Sequence, residues 1–245
     1  MGRTQEKEAV QPLINMLIAN DDDDVWLRHA GALALARIGE AQPLVSLKNH
    51  ESKAARIAAV VALRRMGDVG IESFLDDDDE YVVTEAARGI NDDYSIEAAL
   101  PALAQLLATT DFTGEPLIRR AINANLRVGT EDNLTILKNY ISRSDVPQVM
   151  RAEALAALST WAKPSVLDRV DGRYRGEIVR EEEPVRRVLE PVMTSLLNSK
   201  SEPVQIAAID AAARLNIRNT TTTILQLIQG SRSVDISSAG LMAVG

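Results

Sequence analysis

The stretch Asp24–Gly39, DVWLRHAGALALARIG, limits what this chain can fold into, because the chain repeats it. An acidic residue able to cap a helix opens the stretch and a glycine suited to a helix end closes it. Between them, Val25, Leu27, Ala30, Leu33, Leu35 and Ile38 recur near a 3.6-residue period and predict one apolar side. The small alanines admit further helices at close range on more than one side. A helix this short, with so wide an apolar stripe, is marginal alone in water and needs neighbours. The repetition supplies them. Arg28 and Arg56 lie 28 residues apart, as do Gly39 and Gly67, and the second copy reads AARIAAVVALRRMG. Further copies run Val82–Ile90, Leu117–Gly129, Val149–Trp161, Val204–Leu215 and Val234–Gly245.

Each copy follows another helical segment: Glu6–Ala19, Gln42–Lys48, Val69–Leu75, Ile96–Ala108, Asp132–Ile141, Val185–Asn198 and Thr220–Gln229. The unit is therefore helix, tight turn, helix, at a spacing typical of helical-pair solenoids. This predicts an all-α fold, an α-solenoid of about seven helix pairs forming one domain over residues 1–245. The expected repeats are 5–39, 41–67, 69–94, 95–129, 130–162, 184–216 and 219–245, with an inserted loop at 163–183. The Val/Leu-Arg-x-Ala openings and Leu-x-x-Ile/Met-Gly endings resemble HEAT repeats. Tetratricopeptide repeats are the near alternative, but their aromatic and Gly-Tyr positions are missing. Ile236, Leu241 and Val244 predict a further helix pair beyond the last, and hence a piece of a larger protein.

Scarce aromatics, 3% of residues, suit stacked helices better than a β-sandwich. The net charge of -8 argues against broad binding to a nucleic-acid backbone, which needs a basic field. The absence of cysteine excludes disulfides, thiolate metal sites, cysteine nucleophiles and covalent c-type haem attachment in these residues, and leaves the compartment open. No apolar run approaches membrane-spanning length.

Two acidic runs, Asp21–Asp24 and Asp76–Asp79, lie between the helices of a repeat. Their simplest role is to cap the following helix and favour its positive end. A calcium site is the alternative, although neither run has the spacing of an EF-hand loop. The largest break in the repeat is Trp161–Pro184: Arg151 to Gln205 spans 54 residues, against 32 from Arg119 to Arg151. Long loops in compact arrays are often functional. Val166, Leu167, Val170, Tyr174, Ile178 and Val179 are expected to pin this one onto the helices, and Asp171-Gly172 marks a turn. Two readings fit it. One is an ordered loop holding its own Arg–carboxylate pairs, with Arg169 or Arg173 bonding to helix-end carbonyls. The other is a docking surface for a domain or partner, formed by Asp168, Arg169, Asp171, Gly172, Arg173, Tyr174 and Arg175.

Catalytic signatures are missing. His29 and His50 have no second ligand three or four residues away, so neither marks a zinc site. No Gly-rich phosphate loop or Ser-centred elbow is present. No catalytic residue, metal ligand or cofactor is assigned. Trp26 and Trp161 are expected to be partly core. The Arg64-Arg65 and Arg119-Arg120 pairs are expected to bridge repeats through carboxylates such as Glu85 or Glu153.

Three stretches together, Val82–Ala104, Arg119–Asn133 and Arg151–Arg175, resemble the HEAT-repeat region of large bacterial multidomain haem-c-binding proteins, described as membrane-bound dehydrogenases. In that family a sugar-dehydrogenase-like propeller precedes the helical array and a c-type cytochrome domain follows it. The resemblance implies export to the periplasm or cell envelope and a spacer role between those domains. This sequence contains neither the propeller nor Cys-x-x-Cys-His, so redox chemistry is not assigned to it. The expected function is a non-catalytic scaffold for docking a protein or neighbouring domains, without nucleic acid. A HEAT-like enzyme of the DNA glycosylase or bilin lyase type is one alternative, and a calcium-dependent binding module another. The oligomeric state is left open.

Overall fold

A computed structural model describes residues 6–231 and 233–244. Gln5 and Gly245, the expected outer ends of the first and last repeats, lie outside the described residues. The fold is all-α. The described residues contain no strand, only an isolated antiparallel bridge between Leu167 and Tyr174. The chain divides into two compact units, Met1–Leu103 and Ala104–Gly245.

The first unit contains α1 (Val10–Asn20), α2 (Val25–Ile38), α3 (Ala41–Val45), α4 (Lys53–Met66) and α5 (Glu80–Asn91). A 3-10 segment, Val69–Phe74, stands where the first helix of the third repeat is expected. The second helices of successive repeats stack on one another: α2 packs on α4, and α4 on α5. The α6 helix (Leu100–Thr109) carries the division between the units. The second unit contains α7 (Glu115–Val128), α8 (Glu131–Ser142), α9 (Gln148–Ser159), α10 (Glu183–Leu197), α11 (Glu202–Arg214), α12 (Thr221–Gly230) and α13 (Val234–Val244). Here two layers are complete. The α7, α9, α11 and α13 helices pack in series, as do α8, α10 and α12, and each pair closes through α8 on α9, α10 on α11, and α12 on α13. Such neighbour-by-neighbour packing defines a solenoid.

Local chemistry sets the helix ends. Asp24 accepts from the backbone N–H groups of Trp26 and Leu27, and Asp79 from those of Tyr81 and Val82. Gly39, Gly67 and Gly129 end α2, α4 and α7 with φ of 84°, 66° and 71°, a region that favours glycine. Within the acidic runs Asp22 also pairs with Arg28, and Asp77 with Arg56. Among the described residues no group of three or more His, Asp or Glu side chains is placed to hold a metal ion.

The first turn of α2 departs from expectation. Gly31, Ala32, Leu35 and Ile38 are its buried face, whereas Val25, Trp26 and Leu27 are exposed, Trp26 by 80%. Ala30 is exposed as well and Leu33 is half-buried, so of the expected stripe only Leu35 and Ile38 are buried. The approach of α1 is close, since a Cβ on Gly31 would stand 2.8 Å from Leu17 Cδ2. Trp161, by contrast, is buried as expected.

The second unit also carries buried amides. Asn125 of α7 donates to the carbonyls of Ala104 and Ala121 and accepts from Asn133, whose own carbonyl accepts from the Thr130 N–H in a capping box. These bonds tie α7 to the start of α8 and to α6, with each buried amide matched to a partner.

Candidate functional site

The inserted loop builds a small antiparallel hairpin. Asp168 N–H donates to the Arg173 carbonyl at 2.7 Å, Arg175 N–H to the Val166 carbonyl at 2.8 Å, and Gly172 N–H to the Asp168 carbonyl at 3.1 Å. Gly172, at φ 71°, turns the corner after Asp171. Alternation along an extended strand then sends successive side chains to opposite faces. Asp168 and Arg175 point into the protein. Leu167 and Tyr174, directly opposed across the bridge, point out.

The Asp168 carboxylate is the anchor, and its side chain is wholly buried. One oxygen accepts from the backbone N–H groups of Val170 and Asp171. The other accepts from Asn123 Nδ2 at 2.9 Å and Arg175 Nε at 3.1 Å, with Arg127 Nη1 at 3.7 Å. Burial pushes the carboxyl upward, but the two backbone donors, then Arg175 and Asn123, outweigh it and hold the group below the usual carboxylate range. A buried carboxylate is tolerated only when its lone pairs are matched in this way. Arg175 also bonds to Asp171 at 3.0 Å, and Arg169 to Glu153 at 2.8 Å, which Arg119 approaches from the other side at 3.2 Å.

Arg180 closes the far end of the loop. Its guanidinium donates to the carbonyls of Leu126 and Arg127 at the end of α7 and to that of Trp161 beyond α9, and lies 4.8 Å from the Trp161 ring centre. Burial lowers its pKa. The carbonyls at a helix C-terminus favour a cation there. This is the bonding to helix ends that the sequence assigns to Arg169 or Arg173.

The seven residues singled out from the sequence thus divide by role. Asp168 and Arg175 form the buried anchor, Asp171 and Gly172 the turn, and Arg169 the link to α9. Arg173 and Tyr174 lie at the surface. Of the six apolar side chains expected to pin the loop, only Val170 and Ile178 are even half-buried. Val166, Leu167, Tyr174 and Val179 are all exposed, Tyr174 and Val179 by 72%. The charged side chains hold it instead, because the pairing partners face inward at alternate positions. Asn123, Arg127 and Arg180 complete the site and were not singled out from the sequence. For Asn123 there is a visible signal, a polar residue within the apolar run AINANL. No spacing connects Arg180 to residues 126 and 127.

The repeat-bridging arginines are partly as expected. Arg119 meets Glu153, but Arg64 pairs with Asp93 at 2.6 Å, while Glu85 is held by Arg88 within its own helix. Beneath the hairpin the free space is about 20 Å3, room for about one water molecule.

No known family's model matches the chain, and no curated protein matches its sequence to a significant degree. Solved structures do resemble it. The crystal structure of an engineered protein is similar at a TM-score of 0.50 and 17% identity, over 96% of this chain and 67% of that one. A designed armadillo repeat protein aligns at a TM-score of 0.43 and 17% identity, over 95% of this chain and 100% of that one. At 17% identity the first likeness speaks for the fold alone, and it agrees with the stacked pairs described above: this chain is an all-α helical-repeat protein.

Proposed function

We propose that this chain is a non-catalytic helical-repeat scaffold and that the hairpin at residues 166–175 docks a protein partner. One observation carries the reading. The hairpin is held from within by buried charges and turns Leu167 and Tyr174 outward, with Val166 and Val179 also exposed on the loop. A backbone ordered in advance loses little conformational entropy when a partner covers it, and aromatic side chains are enriched at interface centres. Asp168 and Arg175 act as positioning residues, while Leu167, Arg173 and Tyr174 meet the partner.

The partner we favour is a neighbouring domain of the same, larger polypeptide, dehydrogenase-like or of the cytochrome c type, in the periplasm or cell envelope. The support is that two of the stretches resembling the haem-c-binding family, Arg119–Asn133 and Arg151–Arg175, meet in the network around Asp168 and Glu153. The acidic balance of the chain favours a protein over nucleic acid.

The test is photo-crosslinking from a benzophenone side chain placed at position 174 of the full-length protein in its own cells. The expected result is one discrete adduct, mapped by mass spectrometry to another domain or protein and lost in Leu167→Glu. Crosslinking no stronger than from an exposed position such as Glu131 refutes the hairpin as a docking element.

A further inference from the structure

A groove of about 640 Å3 opens in the first unit, within the size of ligand sites. Its walls come from equivalent positions of successive repeats. Leu33 and Val61 are 28 residues apart, as are Arg37 and Arg65, each two residues before a capping glycine. Among the described residues Arg37 and Arg65 have neither an ion pair nor a hydrogen bond, and both are exposed. Arg64, which also lines the groove, is paired with Asp93. Two uncommitted guanidinium groups on one groove are notable in a chain of net charge -8.

The rim is held in an unusual backbone. Asp93 and Ser95 take φ of 54° and 55°, in the left-handed region, and between them Tyr94 is 93% exposed. Ser95 falls 28 residues after Gly67 and adopts the same handedness without being glycine. Its hydroxyl and the Ile96 N–H both donate to the Ile90 carbonyl, which fixes the turn. Backbone of this kind persists where surrounding contacts enforce it and clusters at binding sites. Here it holds an aromatic ring at the mouth of a groove whose lining combines apolar Leu33, Val61 and Ile96, the unpaired Arg37 and Arg65, the Arg64–Asp93 pair and Asp92.

We infer that this groove binds an extended acidic segment of a partner protein, with carboxylates on Arg37 and Arg65 and the chain covered by Tyr94. Packed helices stand about 8–10 Å apart, so the two arginines project at about that spacing. Alternate residues of an extended chain lie about 6.8 Å apart on one face, a gap that flexible Glu and Arg side chains close. Arginine suits carboxylates because its planar fork bonds both oxygens. The inference adds a second docking surface to the proposed scaffold. It uses none of the hairpin residues, so either can fail alone.

The probe is a fluorescein-labelled nine-residue peptide with Glu at alternate positions and Ala between, titrated into the intact chain by anisotropy, with its Gln counterpart as control. The Glu peptide should bind saturably below millimolar. Binding should weaken at least tenfold in the double variant Arg37→Gln, Arg65→Gln, and severalfold in Tyr94→Ala. Circular dichroism should be unchanged, since Arg37 and Arg65 have no partners to lose. No saturable binding, equal binding of the Gln peptide, or undiminished binding by the double variant overturns the inference. Full displacement by millimolar inorganic phosphate also overturns it, since the groove would then be a simple anion site.

Discussion

Replacing Asp168 tests the charge network most directly. In Asp168→Ala the Arg175 Nε and Asn123 Nδ2 groups lose their shared acceptor, and Arg127 loses a nearby counter-charge. Removing one member of a buried pair typically costs about 3–5 kcal/mol. Arg175 keeps its bond to Asp171, so we place the loss at the lower end, about 3 kcal/mol. Asp168→Asn is the sharper variant, because its shape is the same. Its oxygen can still accept from Val170 and Asp171, but its amide then points N–H donors at Arg175, Arg127 and Asn123. The geometry therefore expects no rescue, and a loss close to that of alanine. The readout is intrinsic fluorescence during urea unfolding. Of the two tryptophans, Trp161 is 2% exposed beneath Arg180 and Trp26 is 80% exposed, so the signal reports on the second unit. With a slope of about 1–3 kcal/mol per molar urea, the midpoint should fall by about 1–3 M. Because the folded carboxyl is held below the unfolded value of about 3.9, its stabilisation is present above that pH. It is lost as pH falls through the folded pKa, so wild type and Asp168→Asn should converge in acid. An unchanged midpoint, a benign Asp168→Asn, or a gap that persists in acid refutes the reasoning.

Two further outcomes follow from close contacts in the second unit, the first with Gly39 of the first unit as its reference. Gly39→Ala and Gly129→Ala both force a side chain into the left-handed region, at about 1 kcal/mol each. A Cβ on Gly39 meets nothing within 4 Å, whereas one on Gly129 would lie 2.1 Å from Arg180 Nη2 and displace its bonds to Leu126 and Arg127. Thermal or urea unfolding should show Gly129→Ala the costlier by about 1–2 kcal/mol, and equal losses would argue against the role of Arg180. Asn125→Ala leaves the Asn133 amide without its acceptor, while the Ala104 carbonyl loses only a donor beyond its own helix bond, and should lower stability by about 1–2 kcal/mol in the same assay.

The repeated helix pairs were legible in the residues, and so were the Asp24, Asp79, Gly39, Gly67 and Gly129 ends. Each rests on contacts within one turn of helix, or on a period that neighbours share. That an insert separates α9 from α10 was legible too, because it interrupts that period. Its way of being held was not. Asn123 meets Asp168 across 45 residues, and Arg180 meets Leu126 across 54, and no local rule links residues so far apart. The exposure of Trp26 was hidden for a related reason. A helix pattern says that one face must be covered, but only the packed neighbours decide which of its residues are. The amino-acid sequence by itself determined that helices form and stack in pairs. Only the tertiary structure decided which charges are buried together and which side chains are left facing water, because long, flexible side chains choose among several partners that become available only once the helices have packed.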